Sequence, residues 1–268
     1  MAYKTVPFLK ASKGLNVIAD PVRIVFDAEK GVVDLATAYN IDIDTSGRIS
    51  RRTGQTLKGA WASHSIFAED DVCFFVSGTA LYQLNTDYTR TGIRSGLTPN
   101  LKMYFAKAKD RVYYANGQEL GYVLGGVSHY WEADTYVGPA TTRVFSGPPA
   151  HITMLEVYKG RIYAVVDDVL WHSEPYAYGW FDLARNFIQF KGSIRLVKAA
   201  YGTTDRDSDG LYVGTDSGVE FLEGDNPDTM TREQVSDSPP VIGTAVRCEA
   251  ARVAGPAKTG KVVMWTAQ

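Results

Sequence analysis

The stretch EDDVCFFVSGTALYQL, residues 69–84, contains the pattern that decides the fold. A polar turn leads into a strand of β-branched and aromatic residues, and a second turn at Ser77 and Gly78 leads into another apolar strand. Glycine adopts the positive φ angles that tight hairpin turns require, and serine is a common neighbour in such turns. The stretch therefore predicts a β-hairpin.

The same phrase recurs along the chain. The later copies are KDRVYYANGQELGYVL (109–124), KGRIYAVVDDVLWHS (159–173), SDGLYVGTDSGVEFL (208–222) and the single strand TGKVVMWTAQ (259–268). Equivalent residues of successive copies are 40, 50, 49 and 51 positions apart. They are Val72, Val112, Ile162, Leu211 and Val262. This period is typical of the blades of a β-propeller.

Another apolar strand is predicted before each later copy. These strands lie in LKMYFAKA (101–108), HITMLEVY (151–158), IRLVKAAYG (194–202) and AVRCEAARV (245–253). A unit of three strands exposes an apolar face that a neighbouring unit can cover. The sequence therefore predicts an all-β fold, a small β-propeller of about five blades. The polar segment at 223–240 is predicted to be a loop.

The first fifty residues do not follow the repeat. Residues 1–38 are predicted to form an extended N-terminal arm, and residues 39–268 the propeller-like domain. Alternating Ile and Asp residues before a Ser-Gly turn predict a hairpin at 39–52. Because the last unit lacks strands, we expect this hairpin to pair with it and close the last blade, which would remove two open edges. The alternative is an incomplete last unit.

Composition and charge argue against several classes of protein. Hydrophobic residues make up 45% and charged residues 22%, so we expect a sizeable core and no extensive disorder. The net charge of −2 argues against a general nucleic-acid coat. No apolar run approaches membrane length, and Cys73 and Cys248 do not make a disulfide framework. We therefore expect a soluble protein with no membrane partner.

Few residues suggest metal or catalytic chemistry. Asp205, Asp207 and Asp209 have the spacing of a calcium loop, and Asp216 would occupy its twelfth position, where the longer side chain of Glu is usual. A solvated acidic turn explains the same residues and is the favoured interpretation. No other metal site, no catalytic set and no cofactor site are predicted, so we expect a protein that is not an enzyme.

An aromatic cluster is the first candidate interaction surface. Trp171, Tyr176, Tyr178 and Trp180 lie close together in sequence. Flat rings bury area at low entropic cost, which suits a platform for a sugar or a partner. Packing of this segment against its own blade is the favoured interpretation.

Two further candidates lie near the N-terminus. Arg48, Arg51 and Arg52 form a local basic patch that could meet an acidic surface. Phe8 and Leu9 are apolar positions of the predicted arm, which has no repeat partner. We expect such an arm to bind a neighbouring subunit.

Four phrases together resemble structural proteins of tailed bacteriophages. They are KGLNVIADPVRI (13–24), AYNIDIDTSGRISRRTG (38–54), LWHSEPYAYGWFDLARNFIQF (170–190) and GLYVGTDSGVEFLEGDNPD (210–228). In that family a hairpin with alternating acids, followed by Arg-Arg and Gly, precedes a propeller-like body. The likeness extends over most of the chain. Within this family, the protein is similar to tail nozzle or neck components of short-tailed phages.

This resemblance implies a non-enzymatic structural component of a virion, made in the host cytoplasm. It implies a cyclic homo-oligomer that contacts other virion proteins and surrounds passing DNA in a tail, neck or nozzle ring. The alternative function is a carbohydrate-binding or carbohydrate-active propeller that uses the aromatic cluster. Assembly state distinguishes the two, because a glycan-binding domain works as a monomer with its ligand.

Overall fold

The computed structural model describes residues 11–15, 32–35, 41–43, 48–52, 54, 56–133, 143–202, 209–249 and 261–267, with the backbone alone at 11–15, 32–35 and 261. The chain divides into two compact units, Met1–Lys58 and Gly59–Gln268. The domain boundary expected between residues 38 and 39 stays a prediction.

The first unit contains two pairs of strands. β1 (Ala11–Leu15) and β2 (Val32–Leu35) pair in parallel within the segment predicted as an arm. β3 (Ile41–Ile43) and β4 (Ile49–Arg51) form an antiparallel hairpin, which confirms the hairpin expected from the alternating Ile and Asp residues.

The described strands of the second unit form four four-stranded sheets and one two-stranded sheet. Sheet I contains β5 (Ser63–Glu69), β6 (Val72–Ser77), β7 (Ala80–Leu84) and β8 (Arg90–Arg94). Sheet II contains β9 (Tyr104–Ala108), β10 (Arg111–Ala115), β11 (Leu120–Leu124) and β12 (Val127–His129). Sheet III contains β13 (Met154–Tyr158), β14 (Arg161–Val166), β15 (Val169–His172) and β16 (Phe187–Gln189). Sheet IV contains β17 (Ile194–Ala200), β18 (Gly210–Thr215), β19 (Gly218–Glu223) and β20 (Thr231–Ser236), and sheet V contains β21 (Val246–Glu249) and β22 (Lys261–Met264).

Each four-stranded sheet is an antiparallel meander whose consecutive strands pair side by side. The first strands β5, β9, β13 and β17 lie next to one another in chain order, and sheet V approaches β17. Sheets that share a line of first strands have the arrangement of propeller blades. The structure therefore confirms the all-β, propeller-like fold, while the number of blades and the closure of the last one stay predictions.

The apolar core lies between successive sheets, and the second strands of sheets II and III each contribute to two core layers. In β10, Tyr114 packs in the layer with sheet I and Tyr113 in the layer with sheet III. In β14, Ile162 and Tyr163 likewise enter different layers. All four side chains are fully buried. Burial of a large apolar side chain such as Ile162 stabilises the fold by about 1.5–3 kcal/mol, which explains why the second strands are rich in apolar residues.

One segment departs from its prediction. The expected polar loop at 223–240 contains β20, which pairs with β19 and places Arg232 opposite Leu222. Four of the six residues of β20 are exposed. An edge strand of this kind is held by backbone hydrogen bonds and has little apolar patterning, so its sequence resembles a loop.

The described residues include no helix that is long and apolar enough to cross a membrane.

Candidate functional site

The first strands of the sheets line a cleft through the second unit, which we call the axial cleft. A cavity of about 220 Å³, the strand-start pocket, lies where these strands begin. A cavity of about 300 Å³, the strand-end pocket, lies where they end. Phe67 of β5, Phe105 of β9 and Lys198 of β17 line both pockets, so the two cavities adjoin. Charged side chains from separate sheets meet here, which makes the axial cleft the candidate functional site.

A buried carboxylate dominates the strand-end pocket. Glu156 of β13 is only 7% exposed, and a buried charge is costly unless it is paired. Lys198 Nζ lies 2.9 Å from Glu156 Oε2, and Arg247 Nη1 of β21 lies 3.6 Å from Oε1. Lys107, on the same wall, pairs with Asp70. Glu156 therefore joins sheets III, IV and V through one carboxylate group.

The strand-start pocket is basic. Among the described residues that line it, the charged ones are Lys102, Arg195 and Lys198, and none is Asp or Glu. Lys198 pairs with Glu156 outside this pocket, and Arg195 pairs with Asp216 in the turn between β18 and β19. The described lining thus contains three cationic residues, and the carboxylates that pair with two of them do not line the cavity.

Lys102 differs from the other two cations in its surroundings. Its Nζ donates a hydrogen bond to the carbonyl oxygen of Gly243 at 3.3 Å and lies 5.1 Å from the ring centroid of Tyr104. Partial burial of the ammonium, and then the positive charge of Lys198, lower the pKa of Lys102 below its ordinary value. The surroundings of Lys102 thus disfavour its charged form.

Two β-bulges shape the strand-start pocket. The pairing of β5 with β6 shifts register around Ser65 and Ile66, and Ser65 has φ 55° there. The pairing of β17 with β18 shifts register around Arg195. All three residues line this pocket. Because a bulge redirects side chains away from the regular pleat, both irregularities act on the same cavity wall.

The predicted calcium residues have other partners where they are described. Asp205 and Asp207 lie outside the described residues. Asp209 Oδ2 lies 2.6 Å from Lys159 Nζ, and the hydrogen bond from Lys159 lowers the pKa of Asp209. Asp216 pairs with Arg195, as noted above. In the described part of the chain no three His, Cys, Asp or Glu residues are grouped for a metal, and calcium binding stays a prediction.

The four aromatic candidates have different surroundings. Trp171 lies 5.4 Å from Phe187, and Trp180 is stacked on Phe145 at 5.6 Å, each measured between ring centroids. Both tryptophans are half-buried. Their rings therefore use part of their surface for packing within the second unit.

The two tyrosines of this cluster differ in exposure. Tyr178 is 8% exposed, and its carbonyl oxygen accepts a hydrogen bond from Trp131 Nε1 at 2.9 Å. Tyr176 is 67% exposed. Both line a small polar pocket of about 240 Å³ with Lys109 and Arg111. Tyr176 is thus the member of the cluster whose ring is most available to a partner.

The predicted basic patch lies on the β3–β4 hairpin. Arg48, Arg51 and Arg52 are all exposed. Arg52 Nε lies 3.0 Å from Asp42 Oδ1, across the same hairpin. The arm candidates Phe8 and Leu9 lie outside the described residues.

Sequence reasoning missed the axial cleft. Its charged residues come from different repeat units, so no single phrase shows that they converge. A signal was present, however, because the apolar first-strand phrases each contain a charged residue. These residues are Lys102 and Lys107 in 101–108, Glu156 in 151–158, Arg195 and Lys198 in 194–202, and Arg247 in 245–253.

No protein-family model and no curated protein matches this chain. Among solved structures, the WD40 domain of Pan2 from Neurospora crassa is 12% identical with a TM-score of 0.42, and the match covers 70% of this chain and 55% of that one. The WD40 β-propeller domain of Doa1 is 10% identical with a TM-score of 0.37, covering 76% and 83%. The gluconolactonase XC5397 from Xanthomonas campestris is 11% identical with a TM-score of 0.38, covering 73% and 79%.

The chain thus spans about half of the Pan2 domain that it matches. The sheets of the described residues, by themselves, make the protein an all-β, β-propeller-like molecule. The described part of its second unit contains a charged axial cleft between the first strands of the sheets.

Proposed function

We propose that this protein is a non-enzymatic structural component of a tailed-phage virion, in a tail, neck or nozzle ring. The four phrases that resemble phage structural proteins support the virion role. The observation that carries the structural role is that well-buried carboxylates on different elements act as ion-pair partners that hold those elements together.

Glu156 is one of these carboxylates, and a second ionic cluster supports the same interpretation. Arg143 Nε lies 3.1 Å from Asp182 Oδ2, and Arg143 also pairs with Glu174. Asn186 Nδ2 donates to Glu174 Oε1 at 2.7 Å. Burial raises the pKa of Glu174, but the hydrogen bonds from Asn186 and Arg143 act in the opposite direction, and the pKa is lowered below its ordinary value. The cluster stabilises the excursion between β15 and β16, as expected of a rigid scaffold.

The first unit suits contacts with neighbouring subunits. Both of its described sheets have only two strands, β1 with β2 and β3 with β4. A two-stranded sheet is marginally stable alone, and its free edges can pair with strands of another chain. A head-to-tail contact of this kind closes into a ring when the rotation between subunits allows it. The exposed arginines of the β3–β4 hairpin would set the register against an acidic surface.

Native mass spectrometry and negative-stain electron microscopy of the full chain test this proposal. We expect a cyclic oligomer, in solution or in particle extracts. Alanine at Phe8 and Leu9 should weaken association without changing the circular dichroism spectrum. Leu57→Ala is the matched control, because Leu57 is 79% exposed and lies outside the predicted arm. A protein that stays monomeric in both settings would contradict the proposal.

A carbohydrate-binding propeller is the second candidate function, and the exposed ring of Tyr176 favours it. A sugar could stack on this ring beside the polar groups of Lys109 and Arg111. Glycan-array binding that is lost in Tyr176→Ala would support this function. Tyr130→Ala is the control, since Tyr130 is 76% exposed but does not line this pocket.

A further inference from the structure

We propose that the strand-start pocket binds a phosphate-type oxyanion, with Lys102 and Lys198 as its ligands and Arg195 on its wall. This inference goes beyond the proposed function and does not depend on a virion role. It rests on the convergence of cationic residues at one cavity, on the hydrogen-bond donors that the two lysines retain, and on the shape of the cavity wall.

The lysine ammoniums retain donors for a ligand. An ammonium group has three N–H donors. Lys198 gives one to Glu156 Oε2, and Lys102 gives one to the carbonyl oxygen of Gly243. Each therefore keeps donors that an oxyanion can use. Phosphate offers several acceptor oxygens, so one anion can bridge the two groups.

Electrostatics favours an anion between these groups. Partial burial and the charge of Lys198 disfavour the protonated form of Lys102, and no described lining residue supplies a negative charge to the cavity. The salt-bridge partners of Lys198 and Arg195, Glu156 and Asp216, are absent from that lining. An oxyanion would offset the repulsion between the two ammonium groups. Its hydrogen bonds would replace the water that Lys102 loses on burial.

The shape of the wall places these groups around the cavity. Gly243 has φ 80°, a backbone conformation that favours glycine, and its carbonyl oxygen accepts the hydrogen bond from Lys102 Nζ. The bulge in β17 sets Arg195 at the wall, and the bulge in β5 leaves Ile66 68% exposed. The wall thus combines redirected strand residues with a backbone that tolerates the lysine.

The size of the cavity limits the ligand. The cavity has a volume of about 220 Å³. This volume accommodates a phosphate group with a small substituent. The chemistry is shared by inorganic phosphate and by the terminal phosphate of a nucleotide or a nucleic-acid strand, and the experiment must distinguish these sources.

Calorimetric titration of the full chain with sodium phosphate tests the site, with sodium chloride at equal ionic strength as the reference. We expect saturable binding of phosphate and none of chloride. Lys102→Gln should weaken binding about ten- to hundredfold, the usual effect of losing one charged hydrogen bond. Lys102→Arg should restore part of the affinity. Lys191→Gln, which removes an exposed lysine outside the pocket, should bind as the unaltered protein does.

A short single-stranded oligonucleotide, with and without a 5′-phosphate, identifies the source. Tighter binding of the phosphorylated strand than of inorganic phosphate assigns the site to a nucleotide end. Equal affinity for the phosphorylated strand and for inorganic phosphate assigns the site to the free anion. Both results support the proposal. Absence of saturable binding with every phosphate probe overturns it, as does an equal loss of affinity in Lys102→Gln and Lys191→Gln. Circular dichroism of each variant shows whether the fold is intact.

Discussion

The two pockets of the axial cleft share a wall but differ in how their charges are balanced. In the strand-end pocket, the carboxylate of Glu156 lies within 2.9 Å of Lys198 Nζ and 3.6 Å of Arg247 Nη1. In the strand-start pocket, the ammonium of Lys102 meets a carbonyl, an aromatic ring and the charge of Lys198. The strand-end pocket contains its own counterion, whereas the described lining of the strand-start pocket contains cationic residues and no carboxylate.

This difference separates a charge that holds the fold together from a charge that is available for binding. Removal of one partner from a buried ion pair leaves the other charge uncompensated, which is strongly destabilising. Removal of a cation from an environment that disfavours it costs little stability. Stability and binding should therefore respond oppositely to substitutions in the two pockets.

The largest effect is expected at the strand-end pocket. Glu156→Gln keeps the shape of the side chain but leaves Lys198 and Arg247 without their counterion. A broken buried pair costs about 3–5 kcal/mol. The two cations are 32% and 34% exposed, so partial hydration should reduce the loss to about 2 kcal/mol. Urea unfolding of the variant and of the unaltered protein measures this loss of unfolding free energy.

Glu69→Gln is the matched control for this substitution. Glu69 lines the same pocket but is exposed. Surface substitutions of this kind usually change the free energy of unfolding by no more than about 0.5 kcal/mol. Equal losses in the two variants would show that Glu156 has no special role in joining sheets III, IV and V.

The parts of the fold that the sequence predicts are those buried on both sides. β6, β10, β14 and β18 fall inside the repeated phrases because they are mostly buried. The two faces of β10 and of β14 fill two core layers. The fourth strands were missed. β12 has three residues and β20 is mostly exposed, so neither has an alternating apolar pattern. Backbone pairing to an existing sheet defines these strands, and that pairing leaves little trace in side chains.

The candidate site was less predictable than the fold. The members of the aromatic cluster are close together in the sequence, but their rings have different environments in the structure. Tyr178 is buried and Tyr176 is exposed. Conversely, Lys102 and Lys198 are 96 positions apart in the sequence and line the same pocket. Only the position of the first strands around the cleft brings them together, and no repeat phrase contains that information.

A smaller effect is expected when single lysines of the two pockets are replaced. Lys102→Met removes a charge that its surroundings disfavour, so the free energy of unfolding should stay unchanged or rise by up to about 0.5 kcal/mol. Lys107→Met breaks an ion pair between a half-buried lysine and the exposed Asp70, and should lower the free energy of unfolding by about 0.2–1 kcal/mol. Urea unfolding of both variants at low salt makes the comparison. A greater loss in Lys102→Met than in Lys107→Met would contradict the assignment of the two pockets.

The smallest effect concerns the chemical reactivity of the same two lysines. Only a neutral amine attacks an acylating reagent, so a lowered pKa increases reactivity at a given pH. Burial and Lys198 lower the pKa of Lys102, whereas the hydrogen bond to Asp70 raises the pKa of Lys107. Brief acetylation near pH 8, followed by peptide mass spectrometry, should label Lys102 several-fold faster than Lys107. Asp70→Asn should then increase labelling of Lys107 and leave that of Lys102 unchanged. If Asp70→Asn leaves Lys107 slow, limited access and not the ion pair governs its reactivity, and the electrostatic contrast between the pockets fails at this position.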